Sequence, residues 1–123
     1  MESKDLVKLV VTSLNKHKAE DIQIIGIRDL TVIADYFVIA NGTSTTQVKA
    51  LADYLEKELS EQGITPLRIE GYSSANWILL DYGSVAVHIF LDELRRFYDL
   101  ERLWSDAVKV IVDPVTPGND RTQ

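Results

Sequence analysis

Cysteine is missing altogether from this 123-residue chain. Its absence excludes a disulfide framework, a thiol nucleophile and every thiolate metal site, and it fits a reducing compartment. Long apolar runs are missing too, and none approaches the roughly 20 residues that span a bilayer. No run of Lys or Arg occurs; the one close pair, Arg95-Arg96, is interleaved with Asp92, Glu93, Asp99 and Glu101. With a formal net charge of −6, the surface repels phosphate, so little direct nucleic-acid binding is expected. A basic protein is the better-matched partner, because opposite fields speed encounter. Histidine is scarce as well. His17 and His88 are the two present, on different predicted elements, with no His-x-x-x-His spacing or carboxylate cluster beside either, so no metal site is expected.

What is present describes an ordinary folded domain. Hydrophobic residues make up 46% and charged residues 26%, a globular balance in a chain of single-domain length. The first helical pattern begins almost at Met1, leaving no room for a targeting segment, so a cytoplasmic protein without a membrane span is expected.

Leu6, Val7, Val10, Val11 and Leu14 recur at helical spacing, with Ser3 placed to cap them. A β-branched run from Asp21 to Ile27 reads as a strand, and a turn around Arg28-Asp29-Leu30 leads to a second one over Tyr36–Ala40. Asn41-Gly42 breaks the pattern, and Thr43 or Ser44 caps a second helix along Val48, Leu51, Ala52, Leu55 and Leu59, with Gly63 as its stop. Strands follow over Leu67–Glu70, Trp77–Asp81 and Val85–Leu91; the Tyr82-Gly83-Ser84 link makes the last two a hairpin. Beyond Asp92 come a helical or turn-rich stretch, a short helix over Leu100–Ala107 and an edge strand within Val108–Val112. The expectation is an α/β fold: one domain over 1–112, a five-stranded mixed sheet with helices mainly on one face, and a polar, disordered tail over 113–123.

Period-two alternation sorts the strand side chains by face. Ile78 and Leu80, the Val85-Val87-Ile89-Leu91 row, and Leu67 with Ile69 are the aliphatic sets expected under the helices. The opposite face then carries Trp77, Leu79, His88 and Phe90 with Asp81, Arg68 and Glu70. Aromatics mixed with charge suit a protein interface. The alternative is a second small core formed as the C-terminal segment folds back.

Catalysis finds no foothold in these patterns. Asn41-Gly42-Thr43-Ser44 ahead of a helix could receive a phosphate on its N–H groups. It lacks the Gly-Lys-Ser/Thr ending of a P-loop, and a helix cap is the simpler reading. The carboxylates Asp35 and Asp81 stand on separate strands, and Asp53 and Glu56 lie within an amphipathic helix, so no two-metal site converges. No nucleophile elbow is present. Catalytic residues, cofactors and metals are therefore not expected; the competing reading is a nucleotide-binding or nucleotidyltransferase-like enzyme.

Asn76-Trp77-Ile78-Leu79-Leu80-Asp81-Tyr82-Gly83, Val85-Ala86-Val87-His88-Ile89-Phe90, Arg96-Phe97-Tyr98-Asp99-Leu100-Glu101 and Leu103-Trp104-Ser105-Asp106-Ala107 form a distinctive series. Together with Asp35-Tyr36-Phe37-Val38-Ile39-Ala40 and Gly42-Thr43-Ser44, it closely resembles the ribosomal silencing factor, or Iojap, family over nearly the whole chain up to about Val112. The resemblance implies a nucleotidyltransferase-like sheet without the catalytic carboxylates. It also implies a translational repressor that binds the large ribosomal subunit through its protein numbered fourteen and blocks joining of the small subunit when nutrients are scarce.

On the residues, Trp77 is the expected apolar anchor with Leu79 beside it, and Asp81 the acceptor for a partner's Arg or Lys. Tyr82 is expected to turn outward at the hairpin, while Tyr98, Asp99 and Glu101 extend the patch. Phe97, Leu100 and Leu103 are expected in the core. A homodimer of the free protein through the Trp77 face is a further expectation.

Overall fold

The structure, a computed structural model, describes residues 2–27, 34–93 and 108–109. Two helices, α1 (Ser3–Lys16) and α2 (Thr45–Ser60), lie on one face of a mixed sheet. Its strands are β1 (Glu20–Gly26), β2 (Tyr36–Gly42), β3 (Arg68–Glu70), β4 (Trp77–Asp81), β5 (Val85–Leu91) and the two-residue β6 (Val108–Lys109). The order across the sheet is β3-β4-β5-β2-β1-β6, with β2 and β5 parallel and every other neighbouring pair antiparallel. All five expected strands are present, β4 and β5 with the expected bounds and β1, β2 and β3 with ends displaced by a residue or two. The edge strand expected within Val108–Val112 pairs its first two residues with Ile25 and Gly26.

Both predicted helical stripes are buried in full: Leu6, Val7, Val10, Val11 and Leu14 on α1, and Val48, Leu51, Ala52, Leu55 and Leu59 on α2. They close over Tyr36, Val38, Ala40, Ile78, Leu80, Val85, Val87 and Ile89, the helix-side rows of β2, β4 and β5. Burial of such a stripe, rather than propensity alone, holds helices of 14 and 16 residues in place.

The caps differ in kind. Gly63 ends α2 as expected, at φ +79, with the Ile64 N–H on the Leu59 carbonyl and its own N–H on Ser60. This is a Schellman arrangement, and the left-handed residue favours glycine. Ser3, by contrast, is no cap. Glu2 takes that position without a side-chain bond, and the Ser3 hydroxyl instead donates to the Asp35 carboxylate, a charge-assisted bond to a distant segment. At the other end of α1, His17 stacks on Tyr54 of α2 at 3.8 Å and donates from Nε2 to Glu58 at 2.7 Å, clamping the two helices together.

Leu67 departs from the pattern. It was expected under the helices with Ile69, yet it is 74% exposed. It precedes the three-residue outermost strand β3, and α2 reaches across β2, β4 and β5, so among the described residues no helix lies over it. The turn at Arg28-Asp29-Leu30, the helical stretch beyond Glu93, and the tail over 113–123 lie outside the described residues.

Candidate functional site

The pleat of β4 divides its residues as alternation requires: Ile78 and Leu80 are fully buried beneath the helices, while Trp77, Leu79 and Asp81 project from the other face, partly exposed. His88 and Phe90 share that face on β5 but are buried, Phe90 completely and His88 to 6% exposure. The face is therefore not open throughout, as a wholly exposed patch would require. Its interior is a second small core of Ile25, Ile27, Ala34, Ile39 and Phe90, with Phe37 and Trp77 packed against it. The central strands can bury both faces, whereas β4, one strand from the edge, leaves Trp77 and Leu79 at the margin.

Trp77 is held on several sides. It lies opposite Phe90 in register and stacks on it at 5.0 Å, and its indole N–H donates to His88 Nδ1 at 3.0 Å. His88 in turn meets the edge of Phe37 at 4.6 Å. Burial pushes the His88 imidazole down to about 4, against the opposing pull of the nearby Asp81 charge, so the ring is neutral near pH 7.

The segment entering β4 is equally constrained. Gly71 has φ +82, Ala75 is buried at φ +57 and donates its N–H to the Gly71 carbonyl, and Asn76 accepts from the Leu91 N–H. Tyr72 fastens this turn to α2, its hydroxyl donating to Asp53 at 3.0 Å and its ring lying 5.4 Å from the Lys49 ammonium.

Asp81 has work within the chain. One carboxylate oxygen accepts the Gly83 N–H at 2.9 Å and the other lies 3.3 Å from Arg68 Nε, directly opposite on β3; the side chain stays 21% exposed. Arg68 also reaches Glu70 at 3.4 Å, so a fringe of exposed charge borders Trp77 and Leu79. Reading β4 alone leaves this pairing out; aligning β3 against it would have revealed it.

Tyr82 is a correction. Expected to turn outward, it continues the Ile78-Leu80 row into the helix-side core and is 9% exposed, with no partner for its hydroxyl among the described residues. Burial, helped by the Glu56 charge, pushes its phenol up to about 12. Period two carries residue 82 to that side, and the two-residue turn, with Gly83 at φ +87, begins only after it. Tyr98, Asp99 and Glu101, like Phe97, Leu100 and Leu103, lie outside the described residues.

The turn into α2 is a cap. Ser44 Oγ accepts the Gln47 N–H at 3.1 Å, and the Gln47 amide oxygen accepts from the Thr43 N–H and hydroxyl at 2.6 and 2.9 Å. The pattern is like a capping box, except that Gln47 reaches back to Thr43, the residue before the cap, and it occupies two of the N–H groups that a phosphate could use. Asn41 is buried and donates to Asp92 at 2.9 Å. Among the described residues, no three His, Asp or Glu side chains gather as a metal site would require, and no helix is long and apolar enough to cross a membrane.

Comparison with known proteins identifies the family and the fold. The family model described as "Ribosomal silencing factor during starvation" matches residues 1–123. A ribosomal silencing factor from Halalkalibacterium halodurans is 41% identical over 115 residues, covering 94% of this chain and 98% of that protein. A mouse protein named for mitochondrial assembly of the ribosomal large subunit is 35% identical over 102 residues, covering 80% of this chain and 45% of its own length. A crystal structure of a Chromobacterium violaceum protein superposes with a TM-score of 0.83 at 37% identity, covering 85% of this chain and 88% of that one. The chain belongs to the ribosomal silencing factor family.

Proposed function

We propose that this chain silences translation in the cytoplasm by seating the Trp77–Leu79 margin of its sheet on large-subunit ribosomal protein fourteen, where its bulk keeps the small subunit from joining. Family membership supports the ribosome-associated silencing role, and the family's description ties it to starvation. The mouse relative, named for assembly of the large subunit, supports the choice of subunit. The observation that carries the docking surface is a partly exposed indole and leucine beside the Asp81–Arg68 pair, on the face the helices leave uncovered. An apolar anchor within a charged fringe is the usual anatomy of a binding hot spot. The acidic surface suits a basic ribosomal protein, although salt limits that attraction to about 8–10 Å. Tyr98, Asp99 and Glu101 extend the surface in this reading. No chemistry is required; exclusion by volume suffices, and the protein acts without catalytic residues or cofactor. A homodimer of the free protein would use the same surface and compete with docking.

Asp81 is a poor single probe of this idea, because replacing it also removes the hairpin's turn bond and the Arg68 pair. Leu79→Lys and Trp77→Ala are better. Each is expected to weaken co-sedimentation with purified large subunits by roughly thirtyfold or more, the usual consequence of losing a central anchor. Each variant should keep its circular dichroism spectrum, and cross-linking of the wild type should recover large-subunit protein fourteen. Undiminished binding by the folded Leu79→Lys protein would remove this face from the mechanism.

A further inference from the structure

We propose that His88 is a positioning residue for the docking surface, holding the Trp77 indole in a single orientation so that the partner meets a preformed anchor; this rests on the docking role proposed for Trp77.

The geometry supports it at three points. First, the indole N–H donates to His88 Nδ1 at 3.0 Å. A ring nitrogen that accepts carries no proton, so the imidazole proton resides on Nε2. Second, stacking on Phe90 at 5.0 Å with 27° between the planes restrains the indole plane but does not distinguish it from the same ring turned over. Only one of those two orientations aims Nε1 at His88. Third, His88 is itself a fixed point. It sits on β5 between β2 and β4, opposite Leu79 and Ile39 in register, with Phe37 against its ring and 6% exposure.

His88 Nε2 is buried with no hydrogen-bond partner among the described residues. An unpaired buried N–H is a cost that an apolar ring of similar size would avoid. Packing alone therefore does not account for a histidine at this place, whereas a neutral acceptor for the indole does. A side chain already held in its bound orientation loses less freedom on association.

Two measurements test this on the full chain. In ¹⁵N spectra, the indole signal absent from Trp77→Ala should exchange slowly in the wild type and quickly in His88→Phe, and His88 should show the neutral Nε2–H tautomer. Binding to purified large subunits is then measured for wild type, His88→Phe, Trp77→Ala and the double variant. His88→Phe is expected to weaken binding roughly two- to tenfold, as loss of one pre-ordered side chain implies, and to add nothing in the Trp77→Ala background. His88→Asn, which offers an amide oxygen near the Nδ1 position, should recover part of the loss. If His88→Phe does not fold, His88→Met takes its place in the cycle.

Equal weakening in both backgrounds, or full binding by His88→Phe when Trp77→Ala is weakened, overturns the positioning role alone. Full binding by Trp77→Ala overturns the docking role and this one with it.

Discussion

A Cβ atom at position 71 would fall 2.1 Å from the carbonyl oxygen of Trp77. Real side chains do not approach backbone so closely, and Gly71 also holds φ +82, where an L residue is strained. The backbone that carries the candidate anchor thus depends on a glycine six residues earlier. Gly71→Ala is expected to cost at least about 2 kcal/mol, the sum of left-handed strain and a forced shift of the strand entry. Urea unfolding monitored by circular dichroism would measure it. A loss within about 0.5 kcal/mol, the range of an ordinary surface substitution, would mean that the turn relaxes freely and does not constrain Trp77.

Ser44→Ala tests the turn ahead of α2. Loss of the cap to Gln47 should cost about 1 kcal/mol in chemical denaturation and leave large-subunit binding unchanged. Asn41→Ala should likewise affect stability alone, since its amide serves Asp92 inside the chain. Either variant folding normally but failing to bind the ribosome would restore a phosphate-binding role to this segment.

Stability should fall on acidification between about pH 6.5 and pH 4 because of His88. Burial holds its imidazole at about 4 in the folded chain, against an ordinary 6.5, so in that window the unfolded chain binds the extra proton. Stability therefore rises with pH across the window, by on the order of 3 kcal/mol for a shift of this size. Protonation would also occupy Nδ1 and eject the indole hydrogen bond. Glu58 adds a separate loss at lower pH. Burial alone would raise its carboxyl, but hydrogen bonding from His17 and Ser13, the His17 charge and Lys16 together hold it below the ordinary 4.5. Its contribution is thus present above that value and disappears as pH falls through the depressed one. Urea midpoints from pH 4 to 7 for the wild type and His88→Phe should diverge: a steep slope in the first, a shallow one in the second. Parallel slopes would show that His88 is not the titrating group.

The two helices and the five main strands were legible because each rests on a local signal. A five-residue apolar stripe at helical spacing has one sensible burial, and the Gly83-Ser84 turn leaves β4 and β5 one pairing. The same pleat rule, carried one residue further, would have put Tyr82 inside; treating it as part of the turn hid this. Leu67 failed for a different cause. Its character is apolar, but only the lateral extent of α2 and the outermost place of β3 decide that it is uncovered.

By itself the sequence determined the element order, both helix stripes, which β4 side chains share a face, and the family, because all four follow from spacing and residue type along the chain. The tertiary structure alone decided that Phe90 and His88 are buried while Trp77 and Leu79 stay at the margin, that Asp81 is paired to Arg68, and that the indole rests on an imidazole nitrogen. Those facts depend on strand order and register across the sheet, which bring together residues far apart in sequence, and no local periodicity encodes them.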